Sequence, residues 1–209
     1  MTKVKVCGIT NLKDAVEVIR LGANSIGFNF NIQSPRYINP ETAKDIIDQI
    51  PKKIKSVGLF ANDRIDKIHE IVNITGIDII QLHENENPEF TGNFCGPVIK
   101  AIRERDSSNL KAMVDFHFSF DKNADYDLLF EKLSQNFNIN FAIEASKFGM
   151  VILTGGINEK NLLEAVLRIK PYCIDLCEQI EEKPGTINYS KAARMFEIIN
   201  NFRNQYSNA

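Results

Sequence analysis

Residues 4–30 read VKVCGITNLKDAVEVIRLGANSIGFNF and fall into three parts. VKVC (4–7) is a short run built on β-branched residues. NLKDAVEVIRLG (11–22) repeats its apolar residues at helical spacing and ends in glycine, and SIGFNF (25–30) is short and apolar again. A strand, a helix and a second strand in so short a space predict a parallel pair joined by a crossover helix. The loop after the first strand then separates the two main ways of building a parallel sheet. It holds only Gly8, not the spaced glycines with which an open, doubly wound sheet grips a dinucleotide.

The same alternation runs through the rest of the chain. Further strands are predicted at 54–60, 78–83, 97–102, 125–130, 150–155 and 172–177, which with the first two makes eight. Helices are predicted between them at NPETAKDIIDQI, RIDKIHEIVNITG, a short NPEFTGNF, SSNLKAMVDF, a weak FAIEASKF, NEKNLLEAVLRIK and the terminal NYSKAARMFEIINNF. Asn39 before Pro40, and Asn158 shortly after Gly156, carry side-chain oxygens suited to first-turn amides. Eight strand-helix units predict an α/β fold of the closed (β/α)8 or TIM-barrel kind, occupying 1–209 as one domain.

Composition narrows the function. Of 209 residues, 44% are hydrophobic and 25% charged, ordinary globular values, and 14 phenylalanines supply a core. A net charge of -2 gives no field that would attract nucleic acid. No apolar run reaches the length of a membrane span, and the amino-terminal residues lack a secretory core, so a cytoplasmic protein with no membrane partner is expected. Cys7, Cys95, Cys173 and Cys177 are scattered, and in a reducing compartment they do not read as a disulfide framework. Cys173 and Cys177 lack the companions of a metal site and are expected to be small buried residues; no metal is expected.

On this fold the chemistry lies at the carboxyl ends of the strands. That places Cys7, at the end of the first strand, on the active rim. SPRYINPE (34–41), QLHENE (81–86), LTGGINEKN (153–161) and EKPG (182–185) lie in the rim loops. Gly155 and Gly156 set flexible amides before a helix, in one of the loops where phosphate sites recur. Arg36 suits two-pronged contact with a carboxylate, and His83 ends an apolar strand as a ligand to substrate or a group behind one. His69 and His117 carry no such suggestion.

Taken together, KVCGITNLKDA, GFNFNIQSPRYINPETA, VGLFAN, IQLHENE, VIKAI, ILTGGINEKNLLEAV and, less faithfully, IDLCEQIEEKPG make the chain resemble the phosphoribosylanthranilate isomerase family of tryptophan biosynthesis along nearly its full length. The resemblance implies an isomerase that performs an Amadori rearrangement of a small phosphorylated substrate without a cofactor. It implies Cys7 as the general base that removes the ribose C2 proton, Arg36 on the anthranilate carboxylate, His83 in the substrate pocket, and Gly155 and Gly156 on the phosphate. Three departures stand against it. Where the family ends its sixth strand in Leu-Leu-Asp, whose aspartate is the general acid, this chain has Leu128-Leu129-Phe130. Glu131 and Asp127 flank that position as candidate acids, with Glu131 the better surrogate. The family's glycine-rich loop after strand six is replaced by EKLSQNFNINFAIEAS, and its Ser-Gly-Val-Glu by Glu178-Gln179-Ile180-Glu181, where Glu178 would repel a phosphate unless turned away. The alternatives are a relative acting on another phosphorylated sugar and a barrel that binds without catalysing.

Overall fold

The computed structural model describes residues 1–83, 96–103, 126–131, 142–144, 146–147 and 150–206, with backbone alone at 102–103, 126–131 and 204–206. Eight parallel strands form a ring: β1 (Lys3–Cys7), β2 (Ser25–Asn29), β3 (Lys55–Phe60), β4 (Ile79–Leu82), β5 (Val98–Arg103), β6 (Tyr126–Glu131), β7 (Met150–Thr154) and β8 (Cys173–Leu176). Each pairs with the next, and β1 closes the ring on β8 through Lys3↔Cys173 to Val6↔Leu176. The eight predicted strands are all present, their ends displaced by no more than a residue or so.

Long helices occupy α1 (Leu12–Leu21), α2 (Pro40–Gln49), α3 (Ile65–Thr75), α4 (Leu162–Ile169) and α5 (Tyr189–Tyr206). Their starts follow local chemistry. The Asn11 side chain accepts from the Asp14 amide at the head of α1, and Asn39 accepts from the Glu41 and Thr42 amides ahead of α2, with Pro40 in the first turn where no amide is needed. Asn158, expected to cap α4, instead heads a turn before it: its side chain accepts from the Lys160 amide, and Asn161 takes the cap position. The helices predicted over NPEFTGNF and SSNLKAMVDF lie outside the described residues, as do Cys95 and His117; near FAIEASKF the described part is a helical turn at 142–144. Among the described residues no helix is long and apolar enough to cross a membrane.

Side chains alternate between two environments because the strands do. Val4, Val6, Ile26, Phe28, Leu82, Leu153, Ile174 and Leu176 face out and pack in one cluster with helix residues such as Ala15, Val18, Ala165 and Phe196. Val57, Ile99, Ala101, Ile152 and Cys173 form a smaller apolar cluster inside the ring. Buried polar side chains also occur among the strands, Lys5, Gln81 and Asp175 among them. They mark where the interior changes from packing to chemistry.

Candidate active site

Cys7 ends β1 and is 6% exposed, and its register partner on β2 is Gly27. A β-carbon at Gly27 would sit 3.0 Å from the Cys7 sulfur and 3.1 Å from Lys5 Nζ, so both groups fill the space that a side chain would take. Lys5 precedes Cys7 by two residues and therefore shares its face of the strand. Its ammonium donates to Asp175 Oδ2 at 2.8 Å, with the two side chains 1% and 3% exposed. Burial opposes a charge on Lys5, but Asp175 and Cys7 outweigh it and raise its pKa above the ordinary lysine value.

Cys7 is displaced the other way. A hydrogen bond from Cys177 lowers its pKa, burial opposes this, and the charge of Lys5 adds to the lowering while Asp175 works against it; the balance holds the thiol below its ordinary value. Cys177 is pushed above its own ordinary value by its hydrogen bond with Cys7 and by burial. Of the two thiols, Cys7 is thus the one whose ionisation the surroundings favour, and Cys177 the one that keeps its proton more firmly. A thiol whose ionisation is favoured beside an ammonium, on the wall of a pocket, is suited to act as a base.

A cavity of about 240 Å³ opens at this rim, lined by Cys7, Asn29, Arg36, Gln81, His83 and Thr154, with Cys177 and Asp175 also on its wall. Arg36 reaches it from the loop after β2, where the Ser34 hydroxyl accepts from the Arg36 amide. The stem of Arg36 crosses Gly8, where a β-carbon would meet Arg36 Cδ at 2.7 Å. The two-pronged contact foreseen for a substrate carboxylate is made within the chain: Arg36 Nε and Nη2 donate to Glu181 Oε1 and Oε2 at 2.8 and 2.6 Å. That pairing, ahead of an opposing burial effect, raises the Arg36 pKa and keeps the guanidinium charged. Glu181 is buried and also accepts from the Gly185 amide at 2.8 Å, while Thr10 donates to the Gly185 carbonyl at 2.6 Å. The loops after β1, β2 and β8 are thereby fastened together around the pocket mouth.

Of the residues foreseen in the sequence, Cys7, Arg36 and His83 meet in this cavity. Gly155 and Gly156 follow β7 in the left-handed conformation, at φ 66 and 60°, and Asn161 donates to the Gly156 carbonyl at 2.8 Å. Glu178 lies in a short helical turn and is exposed. Asp127 and Glu131 are placed by the β6 backbone, their side chains lying outside the described residues. Asp127 pairs with Ile99 and Leu129 with Ala101, both inner-cluster residues, so Glu131 two further on shares their register parity; Phe130 pairs with Leu153 of the outer cluster.

Cys177 corrects an expectation. It was foreseen as a small buried residue, but closure of β1 on β8 sets it next to Cys7 at the rim; Cys173 does lie in the inner cluster. Sequence reading also passed over Lys5, Gln81, Asp175 and Glu181. Lys5 had a signal, since a lysine two residues before Cys7 in a buried strand must face the same interior, and Asp175 between Ile174 and Leu176 had the same one. Gln81 is 1% exposed, and its buried Oε1 has no hydrogen-bond partner among the described residues.

Comparison with known proteins agrees with the barrel architecture. The family model described as N-(5'phosphoribosyl)anthranilate (PRA) isomerase matches residues 4–198. The N-(5'-phosphoribosyl)anthranilate isomerase of Citrifermentans bemidjiense is 36% identical over 196 residues, 93% of this chain and 95% of that one. The enzyme of the same name from Pelobacter propionicus is 35% identical over 206 residues, 98% and 99% of the two chains. Among solved structures, phosphoribosyl anthranilate isomerase from Thermus thermophilus superposes with a TM-score of 0.86 at 30% identity, covering 97% of this chain and all (100%) of that one. A phosphoribosyl anthranilate isomerase in complex with reduced 1-(o-carboxyphenylamino)-1-deoxyribulose 5-phosphate superposes at 0.82, with 27% identity and coverage of 96% and 100%.

Proposed function

Since the chain belongs to the N-(5'-phosphoribosyl)anthranilate isomerase family, we propose that Cys7 is the base, and Glu131 the acid, of the family's reaction. The protein is an isomerase of tryptophan biosynthesis. It converts N-(5'-phosphoribosyl)anthranilate to 1-(2-carboxyphenylamino)-1-deoxyribulose 5-phosphate by an Amadori rearrangement. An acid protonates the furanose ring oxygen as the ring opens, and a base removes the C2 proton, leaving an enolamine that relaxes to the ketone.

The observation that carries the assignment of the base is the joint approach of the Cys7 sulfur and the Lys5 ammonium to Gly27, with Cys7 itself on the cavity wall. Lys5 keeps the thiolate populated, and Asp175 keeps Lys5 charged and in place. Glu131 is favoured for the acid over Asp127 because it ends β6 on the rim side of the strand, at the inner register parity, whereas Asp127 pairs deeper, with Ile99. Arg36, held by Glu181 through Nε and Nη2, keeps its Nη1 edge for the anthranilate carboxylate. His83 lines the substrate pocket, and the amides near Gly155 and Gly156 take the phosphate.

The test is turnover of phosphoribosylanthranilate by the purified protein and by two variants. Cys7→Ser is expected to lose turnover while keeping its melting temperature, because the hydroxyl is nearly isosteric and a far poorer base. Glu131→Gln is expected to lose ~10²–10⁴-fold in kcat, the usual worth of a positioned acid. Wild-type kcat in Cys7→Ser would remove the base assignment. Wild-type kcat in Glu131→Gln, with a loss in Asp127→Asn, would transfer the acid's role to Asp127.

A further inference from the structure

Closing the barrel sets two cysteines side by side that are far apart in sequence. Val6 of β1 pairs in register with Leu176, the last residue of β8; Cys7 ends β1, and Cys177 follows β8 directly. Adjacent strands run ~4.8 Å apart, inside the Cα separation of ~4.4–6.8 Å that a disulfide accepts. Both thiols line the same cavity. Cys173 is removed from them: it lies in the inner cluster, pairs with Lys3 at the opposite end of β1, and its S–H donates to the Ile174 carbonyl at 3.5 Å.

We propose that Cys7 and Cys177 form a site of oxidative modification at which hydrogen peroxide converts the two thiols to a disulfide. The Cys7 thiolate attacks one peroxide oxygen, the O–O bond breaks, and the departing hydroxide takes a proton and leaves as water; Cys7 is now a sulfenic acid. The Cys177 sulfur then attacks the Cys7 sulfur, the S–O bond breaks, and the second hydroxide departs as water with the Cys177 proton. Two thiols and one hydrogen peroxide become one disulfide and two waters, the sulfurs oxidised and the peroxide oxygens reduced. The surroundings favour both steps. Lys5 supports the attacking thiolate. Once Cys7 is a neutral sulfenic acid, the charge that holds the proton on Cys177 is gone, while Arg36 still favours the Cys177 thiolate.

The bond would remove the catalytic thiol reversibly, a consequence that rests on Cys7 being the base; formation of the bond does not. The experiment treats the full chain with hydrogen peroxide, then maps peptides under non-reducing conditions and assays turnover before and after dithiothreitol. In the wild type the expected product is a Cys7–Cys177 linked peptide, with turnover lost on oxidation and returned to the untreated value by the reductant. In Cys177→Ser, measured against its own untreated activity, Cys7 is expected to run on to sulfinic and sulfonic acid, and dithiothreitol to restore nothing. The proposal is overturned if wild-type Cys7 stays reduced, links to Cys95, or over-oxidises at the same rate as in Cys177→Ser. A linked Cys7–Cys177 peptide with turnover intact supports the modification site and removes the base reading instead.

Discussion

Replacing Lys5 with methionine keeps the buried stem and deletes the ammonium, which isolates what that charge does for Cys7. The two groups lie 3.0 and 3.1 Å from one point above Gly27, so they are no more than about 6 Å apart. With an effective dielectric constant of ~20, unit charges at that distance attract by ~3 kcal/mol, or ~100-fold in the population of the thiolate. The variant is therefore expected to lose ~100-fold in kcat/KM near neutral pH, and to regain most of it as pH rises and Cys7 ionises unaided. The sign is fixed by direction: the Cys7 pKa is lowered in the folded protein, so losing Lys5 must move the acid limb of the pH profile upward. Stability suffers separately, because Asp175 is left buried without its cation, at a cost of ~3–5 kcal/mol. The double variant Lys5→Met with Asp175→Asn should recover much of the melting temperature while keeping the displaced acid limb. Measured pH profiles of kcat/KM, with thermal melts of all three proteins, separate the two effects. An acid limb unmoved in Lys5→Met would refute the role given to the ammonium, whatever the melts show.

Gly27→Ala is expected to lower kcat strongly and to lower the melting temperature, since its new methyl would lie 3.0 Å from the Cys7 sulfur, 3.1 Å from the Lys5 ammonium and 3.3 Å from the Cys7 Cα; wild-type kcat would mean that the positions of the sulfur and the ammonium do not matter. Glu181→Gln weakens the forked pair that holds Arg36, and should raise KM for phosphoribosylanthranilate more than it lowers kcat, read from steady-state kinetics.

The architecture was legible because it is written in short-range pattern. VKVC, SIGFNF and MVILTG are runs too short for helices, and helical periodicity fills the chain between them, so strand count and order follow from local reading alone. The site was legible only where a side chain's own strand or loop places it at the rim, as for Cys7, Arg36 and His83. What escaped is what ring closure creates. Lys5 and Asp175 are 170 residues apart, Arg36 and Glu181 are 145 apart, and Cys177 meets Cys7 only because the last strand returns to the first. The missing acid shows a subtler limit. A residue-by-residue match puts Phe130 where an aspartate belongs, yet strand parity, not identity at one position, decides which residue a barrel presents inward. Phe130 pairs with Leu153 of the outer cluster, and Glu131 shares the parity of Leu129 and Ala101. Shifting the comparison by one residue turns the apparent loss into Leu129-Phe130-Glu131, two apolar residues followed by a carboxylate at the rim end of β6. The proposed reaction asks for an acid at the rim end of β6, and the backbone parity that Glu131 shares with Leu129 is the reason it is proposed for that role.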